Sequence, residues 1–227
     1  LRILIKYSQH KESYMSQETT NENTETTVEK TPEAPIVPFD SFGLNDDILK
    51  SLHFAGFKAA SPIQAEAIPI IMSGKDMVGQ AHTGTGKTAA FGLPTMSMLE
   101  NNCGVEILII APTRELANQV SDEMFRLGSS AGVRTVTVYG GMSSRRQIDL
   151  ISRGSQVVVA TPGRLLDLLQ SGRLQDFNPR FVVLDEADEM LDMGFLEDIQ
   201  EIFKFLPAER QTLLFSATMP PPIKKLA

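Results

Sequence analysis

The run Ala81-His82-Thr83-Gly84-Thr85-Gly86-Lys87-Thr88 sets glycines, a lysine and a threonine in an order suited to holding phosphate. It follows a short apolar run and opens a helical pattern, which is the setting a phosphate-binding loop requires. The glycines let backbone N–H groups from His82 to Thr88 wrap phosphate oxygens, and the helix N-terminus adds a favourable dipole. Lys87 brings a cation to the outer phosphates, and the Thr88 hydroxyl suits Mg²⁺. The strict pattern opens on glycine, where this chain has Ala81. A complementary charge comes from Phe181-Val182-Val183-Leu184, which reads as a buried strand ending in Asp185-Glu186-Ala187-Asp188. There Asp185 would join Thr88 in holding the metal, and Glu186 would orient and deprotonate an attacking water, so Lys87, Asp185 and Glu186 are the candidate catalytic set. By itself an acidic strand end is more often a helix cap. Its pairing with the phosphate loop favours chemistry.

Groups so scattered along the chain need strands that stop where the chemistry starts. Short apolar runs occur at 76–80, 106–112, 135–140, 156–161, 181–186 and 211–218, separated by helix-length intervals. Consecutive apolar residues at that spacing predict parallel strands buried on both faces and joined by crossover helices. The fold class is therefore α/β, a doubly wound parallel sheet with helices on both faces. In such sheets ligands gather at the carboxyl ends of the strands.

Apolar residues at 42% and charged residues at 22% are globular values, sufficient for one well-buried domain in 227 residues. That domain is expected over 39–227. From Ser16 to Pro35 the chain is almost all Gln, Glu, Thr, Asn and Pro, too polar to offset its chain entropy. Residues 1–38, with six Glu against four Lys and Arg, are accordingly expected to form a disordered acidic tail. The lone Cys103 makes no internal disulfide, and no run nears the roughly 20 apolar residues of a membrane span. A cytoplasmic protein is the expectation. A net charge of −7 excludes indiscriminate binding to polyanions, so any nucleic-acid site must be local.

Taken together, the phosphate loop and the Asp185–Asp188 quartet resemble the DEAD-box ATP-dependent RNA helicases. Other runs fall in that family's order. Gly56-Phe57-Lys58-Ala59-Ala60-Ser61-Pro62-Ile63-Gln64 is similar to its adenine-reading motif, and Phe39 stands at the place of the upstream aromatic. Pro112-Thr113-Arg114-Glu115-Leu116-Ala117, Gly140-Gly141, Thr161-Pro162-Gly163-Arg164 and Ser216-Ala217-Thr218 resemble the remaining motifs of its first domain. The likeness covers residues 39 to about 220. It implies a RecA-like fold of the P-loop NTPase kind, ATP and Mg²⁺ as ligands, and RNA as partner.

The resemblance also distributes roles. Phe39, Lys58 and Gln64 would meet the base, Gln64 by donating to and accepting from adenine's edge. Phe39 has a second reading, a plug tying the tail to the core. Pro112, Thr113, Arg114, Gly140, Gly141, Thr161, Pro162, Gly163 and Arg164 would meet the RNA backbone without sequence preference. Thr113 and Thr161 are also expected as helix N-caps. Asp188, Ser216 and Thr218 would couple the two ligands, although Ser216 and Thr218 equally suit a cap before the Pro220–Pro222 break. Ala60 replaces the proline usual in the family, which would loosen its loop. The family's second RecA-like domain, with its arginines, does not appear in this sequence. The chain is thus expected to be a monomer that binds nucleotide but does not unwind. A DNA-translocating ATPase and a nucleotide-gated RNA clamp remain as alternatives.

Overall fold

All six strand-like runs form strands, and every pairing between them is parallel. The computed structural model describes residues 3–6, 37–100, 104–174 and 177–226. Its strands are β1 (Ile3–Lys6), β2 (Met77–Gln80), β3 (Ile107–Ile110), β4 (Thr135–Val138), β5 (Val157–Ala160), β6 (Phe181–Leu184) and β7 (Gln211–Ser216). The helices are α1 (Asp46–Phe54), α2 (Pro62–Met72), α3 (Lys87–Ser97), α4 (Arg114–Leu127), α5 (Ser144–Ser152), α6 (Pro162–Gln170), α7 (Ala187–Asp192), α8 (Leu196–Phe205) and α9 (Pro221–Leu226). Among the described residues the strands make one sheet in the order β1-β2-β7-β6-β3-β5-β4.

Successive residues of a strand point to opposite faces, and both faces here are covered. Ile107, Ile109, Val157, Val159 and Val183 pack beneath α1, α2, α3 and α4. Leu108, Ile110, Val158, Val182 and Leu184 pack beneath α6, α7 and α8. This is why β3, β5 and β6 are apolar at every position and wholly buried. Each such side chain contributes about 1.5–3 kcal/mol of burial.

The register decides where the chemistry falls. Gln80 pairs with Ser216, Leu184 with both Leu214 and Ile110, and Ala160 with both Ile110 and Val138. The residues just beyond these ends therefore emerge along one edge of the sheet.

Two expectations need correction. Ile3–Lys6, counted in the irregular tail, forms β1 alongside β2. An apolar run there saturates the free edge that β2 would otherwise present. Ser16–Pro35 and Cys103 lie outside the described residues. Nor is the loop at Ala60 loosened, because the Ala60 N–H donates to the Val37 carbonyl at 2.9 Å, a bond that proline cannot make. Among the described residues no helix is long and apolar enough to cross a membrane.

Candidate functional site

The phosphate loop turns between β2 and α3 with Gly84 and Gly86 at φ 82° and 92°. Gly86 is obligatory for a second reason: a Cβ there would stand 2.5 Å from Gln64 Nε2. That close approach stitches α2 to the loop. Gln64 Nε2 donates to the Gly86 carbonyl at 3.1 Å, Ser61 Oγ donates to the Thr85 carbonyl at 3.0 Å, and Gln64 Oε1 accepts from the Ser61 N–H at 2.8 Å. Gln64 is thus buried with both ends of its amide engaged by the protein. Each end keeps a second site, one N–H and one lone pair, with which to meet a base.

Beneath the loop, Lys87 opens α3 and is buried. Its Nζ donates to Glu186 Oε1 at 2.6 Å and lies 3.8 Å from Asp185 Oδ1. Thr83 Oγ1 donates to the same Glu186 oxygen at 3.0 Å. The lysine and both carboxylates are therefore one unit, joined across 99 residues of chain. Burial raises Asp185 to about 6 from its ordinary 3.8, with Lys87 opposing the rise and Glu186 adding to it. Since the folded value is the higher one, Asp185 contributes stability at low pH that is lost as pH rises through about 6. At neutral pH the fold holds this charge at a cost, which a cation would relieve. Glu186 adds strain: it adopts φ 53° and ψ 53°, and among the described residues it is the only non-glycine with positive φ. Such a conformation costs on the order of 1–3 kcal/mol and persists where its surroundings impose it.

These groups line a cavity of about 390 Å³. Thr83, Gly84, Gly86, Lys87, Thr88, Gln64, Asp185 and Glu186 all reach it; His82 and Thr85 do not. His82 is exposed, and Thr85 turns its hydroxyl to the His82 carbonyl at 2.8 Å. Phe39 and Lys58 line a separate hollow, and Phe57 belongs to both. Phe39 itself is buried edge-on against Phe57, 6.1 Å between ring centres, so the plug reading holds for its ring. The far wall of the cavity is α4, through Leu116, Gln119, Val120 and Glu123. Sequence reasoning missed that wall and gave Phe57 no role. The signal available was the helical spacing of Leu116, Val120 and Glu123.

The candidate RNA residues emerge further along the same edge. Thr113 caps α4 by accepting from the Leu116 N–H at 3.2 Å, and the Arg114 side chain lies exposed above the Tyr139 ring, 4.8 Å from its centre. Gly141 takes φ 89°. Pro112 and Pro162 are buried, whereas Thr161 and Gly163 are half-buried. Pro162 opens α6 as expected, but the Thr161 side chain makes no capping bond. Arg164 has a further, structural part. Its Nε donates to the Tyr139 carbonyl at 3.3 Å and its Nη2 to the Met142 carbonyl at 2.8 Å, so much of its donor set holds the Gly140–Gly141 turn.

Asp188 receives both the Thr218 N–H, at 2.8 Å, and the Thr218 hydroxyl, at 2.9 Å, while its own N–H donates to Ser216 Oγ at 3.1 Å. Asp188 is thus tied to both residues. Neither residue caps a break, since Pro221 and Pro222 begin α9. Partial burial pushes the Asp188 carboxyl up, and the bonds from Ser216 and Thr218 outweigh this and hold it below its ordinary 3.8. The stabilisation is present above that value and lost as pH falls through the lower folded one. Because solvent screens this exposed contact, Thr218→Val should lower stability by only about 0.5–1 kcal/mol at neutral pH. Urea unfolding checks this, and the two proteins should converge in acid. Equal midpoints at neutral pH would rule the contact out as a stabilising one.

A family model described as DEAD/DEAH box helicase matches residues 61–226. The chain is 58% identical over 189 residues to the DEAD-box ATP-dependent RNA helicase RhpA of Helicobacter pylori (strain B128), covering 83% of this chain and 38% of the relative. It is 50% identical over 190 residues to the DEAD-box ATP-dependent RNA helicase CshA of Geobacillus kaustophilus, covering 83% and 41%. Among solved structures, a DEAD box protein from the hyperthermophile Methanococcus jannaschii superposes with TM-score 0.80 at 40% identity, over 84% of this chain and 52% of that one. The chain spans about two fifths of the length of these curated relatives.

Proposed function

The chain belongs to the DEAD/DEAH box helicase family, and from that premise we propose that it is the ATP-holding, RecA-like unit of an RNA-dependent ATPase that parts or remodels short RNA duplexes. The observation that carries the reading is the buried lysine, turned onto a carboxylate directly below the phosphate loop. The relatives named as ATP-dependent RNA helicases support it.

The geometry suggests an order of events. The β- and γ-phosphates of ATP compete with Glu186 for Lys87, and the lysine moves to them. Glu186, still bonded to Thr83, is then free to accept a proton from the water that attacks the γ-phosphorus. As the new P–O bond forms, the bond to the ADP oxygen breaks. The strained backbone of Glu186 keeps its carboxylate at the loop through this exchange.

The donor set suits Mg²⁺, a hard cation that takes one or two carboxylates, keeps several waters and uses substrate phosphates. Among the described residues there is no cluster of three or more His, Cys, Asp or Glu side chains for an all-protein metal site, while Thr88 and Asp185 offer hard oxygens at the cavity. When bound with nucleotide, Mg²⁺ would be held by Thr88 and Asp185 and would neutralise charge on the β- and γ-oxygens.

RNA in this reading lies along Thr113, Arg114, the Gly140–Gly141 turn and Thr161–Arg164, met through phosphate and 2′-OH groups. A second RecA-like unit completes both sites, and the protein acts as a cytoplasmic monomer. Phosphate release stimulated by single-stranded RNA but not by single-stranded DNA is the test of the whole reading.

Base choice gives a separate prediction. Guanine presents an acceptor where adenine presents a donor, so the Gln64 amide should favour ADP over GDP by about tenfold or more. Because Gln64 also holds Gly86, Gln64→Ala should both erase this preference and weaken ADP itself. Calorimetric titration with each diphosphate decides it, and equal affinities in the unmodified chain would refute the assignment.

A further inference from the structure

Tyr139 directly follows β4 and precedes the Gly140–Gly141 pair, and three helices converge on it. From α5, Gln147 Nε2 donates to the Tyr139 carbonyl at 2.9 Å. From α6, Arg164 donates to the same oxygen and to the Met142 carbonyl. From α4, the Arg114 guanidinium rests over the Tyr139 ring. The carbonyls on either side of the turn are thereby drawn inward. Among the described residues neither the Gly140 N–H nor the Gly141 N–H donates a hydrogen bond within the protein.

Gln147 is the unusual member of this group. It is fully buried, one helical turn before the buried Ile151, in a position where an apolar side chain would serve the packing of α5. Among the described residues its Oε1 is buried without a partner. An amide held half-satisfied in an apolar setting is costly, and its one bond goes to the residue that opens the turn.

We propose that Gln147 is a positioning residue for RNA binding. By fixing the Tyr139 carbonyl it holds the Gly140–Gly141 turn with its N–H groups facing outward, and it holds in place the Tyr139 ring on which Arg114 rests. This rests on the reading above, in which the RNA backbone crosses Arg114 and the turn.

The test uses the whole chain and a fluorescein-labelled ten-nucleotide oligouridylate, with anisotropy read at several salt concentrations. Gln147→Met keeps the length and loses the donor; Gln147→Asn, a shorter amide that falls short of Tyr139, serves if the first variant fails to fold. Either should weaken RNA binding by about tenfold and speed hydrogen exchange at residues 140–142. Affinity for Mg²⁺·ADP should not change. Because no charge is removed, the slope of log affinity against log salt should also stay the same, whereas Arg114→Gln should lower it by about 0.7, the value for one lost phosphate contact on a single strand. If the Gln147 variants bind RNA as the parent does while Arg114→Gln binds more weakly, the proposal is overturned and the RNA path stands. If Arg114→Gln has no effect on binding, the RNA path itself is wrong and the proposal falls with it.

Discussion

Glu186→Gln is expected to lower RNA-stimulated phosphate release by about 10²–10⁴, the usual contribution of a positioned general base, while affinity for Mg²⁺·ADP stays close to that of the parent. The amide keeps an oxygen for Lys87 and Thr83, so the cavity retains its shape, but it cannot take a proton from water. Lys87→Ala should behave oppositely and damage binding itself. It removes the cation from the phosphates and leaves Asp185 and Glu186 buried without compensation, an arrangement that costs about 3–5 kcal/mol. The double variant Lys87→Ala/Glu186→Gln should recover part of that stability without recovering binding, which separates the fold's need for Lys87 from the nucleotide's. Normal turnover by Glu186→Gln in the presence of RNA would move the base to another residue.

Residues 1–227 alone should show negligible RNA-stimulated hydrolysis and no unwinding. Joined to a second RecA-like unit, they should gain both activities together. In related NTPases an arginine delivered to the transferring phosphate is worth about 10³–10⁵ in kcat. Among the described residues no arginine lines the cavity: its cationic member is Lys87, and Arg114 and Arg164 are engaged around Tyr139. Closure of the two units would assemble the ATP site and the RNA groove in one step. The comparison is phosphate release with and without single-stranded RNA, for the chain and for the joined protein. Strong stimulation in the chain alone would require an arginine from Arg145, Arg146 or a second copy.

Local pattern made the sheet and the edge where it does its chemistry legible in the sequence. Six apolar runs of strand length, each followed by small, polar or acidic residues, specify six of the seven described strands and the points where they release functional groups. What escaped depends on contacts between distant segments or on backbone geometry that the side chain does not announce. Nothing about a glutamate signals positive φ, so the strain at Glu186 was invisible. The bond from Gln64 to Gly86 needs α2 and the phosphate loop to meet in space, and the motif alone pointed Gln64 at a base. For Arg164 only the charge was legible, and the Tyr139 and Met142 carbonyls that it also holds were not. Gln147 did leave a trace, a polar residue four positions before Ile151 on the buried stripe of α5.

On the proposed reading, the cavity between the 83–88 loop and Asp185–Glu186 holds the phosphates of an adenine nucleotide. Calorimetric titration of this chain with Mg²⁺·ADP, beside Lys87→Ala, tests it most directly. A single saturable site is expected in the parent, displaced by ATP and lost in a folded Lys87→Ala variant. Undiminished binding in that variant, or no binding in the parent, would contradict it.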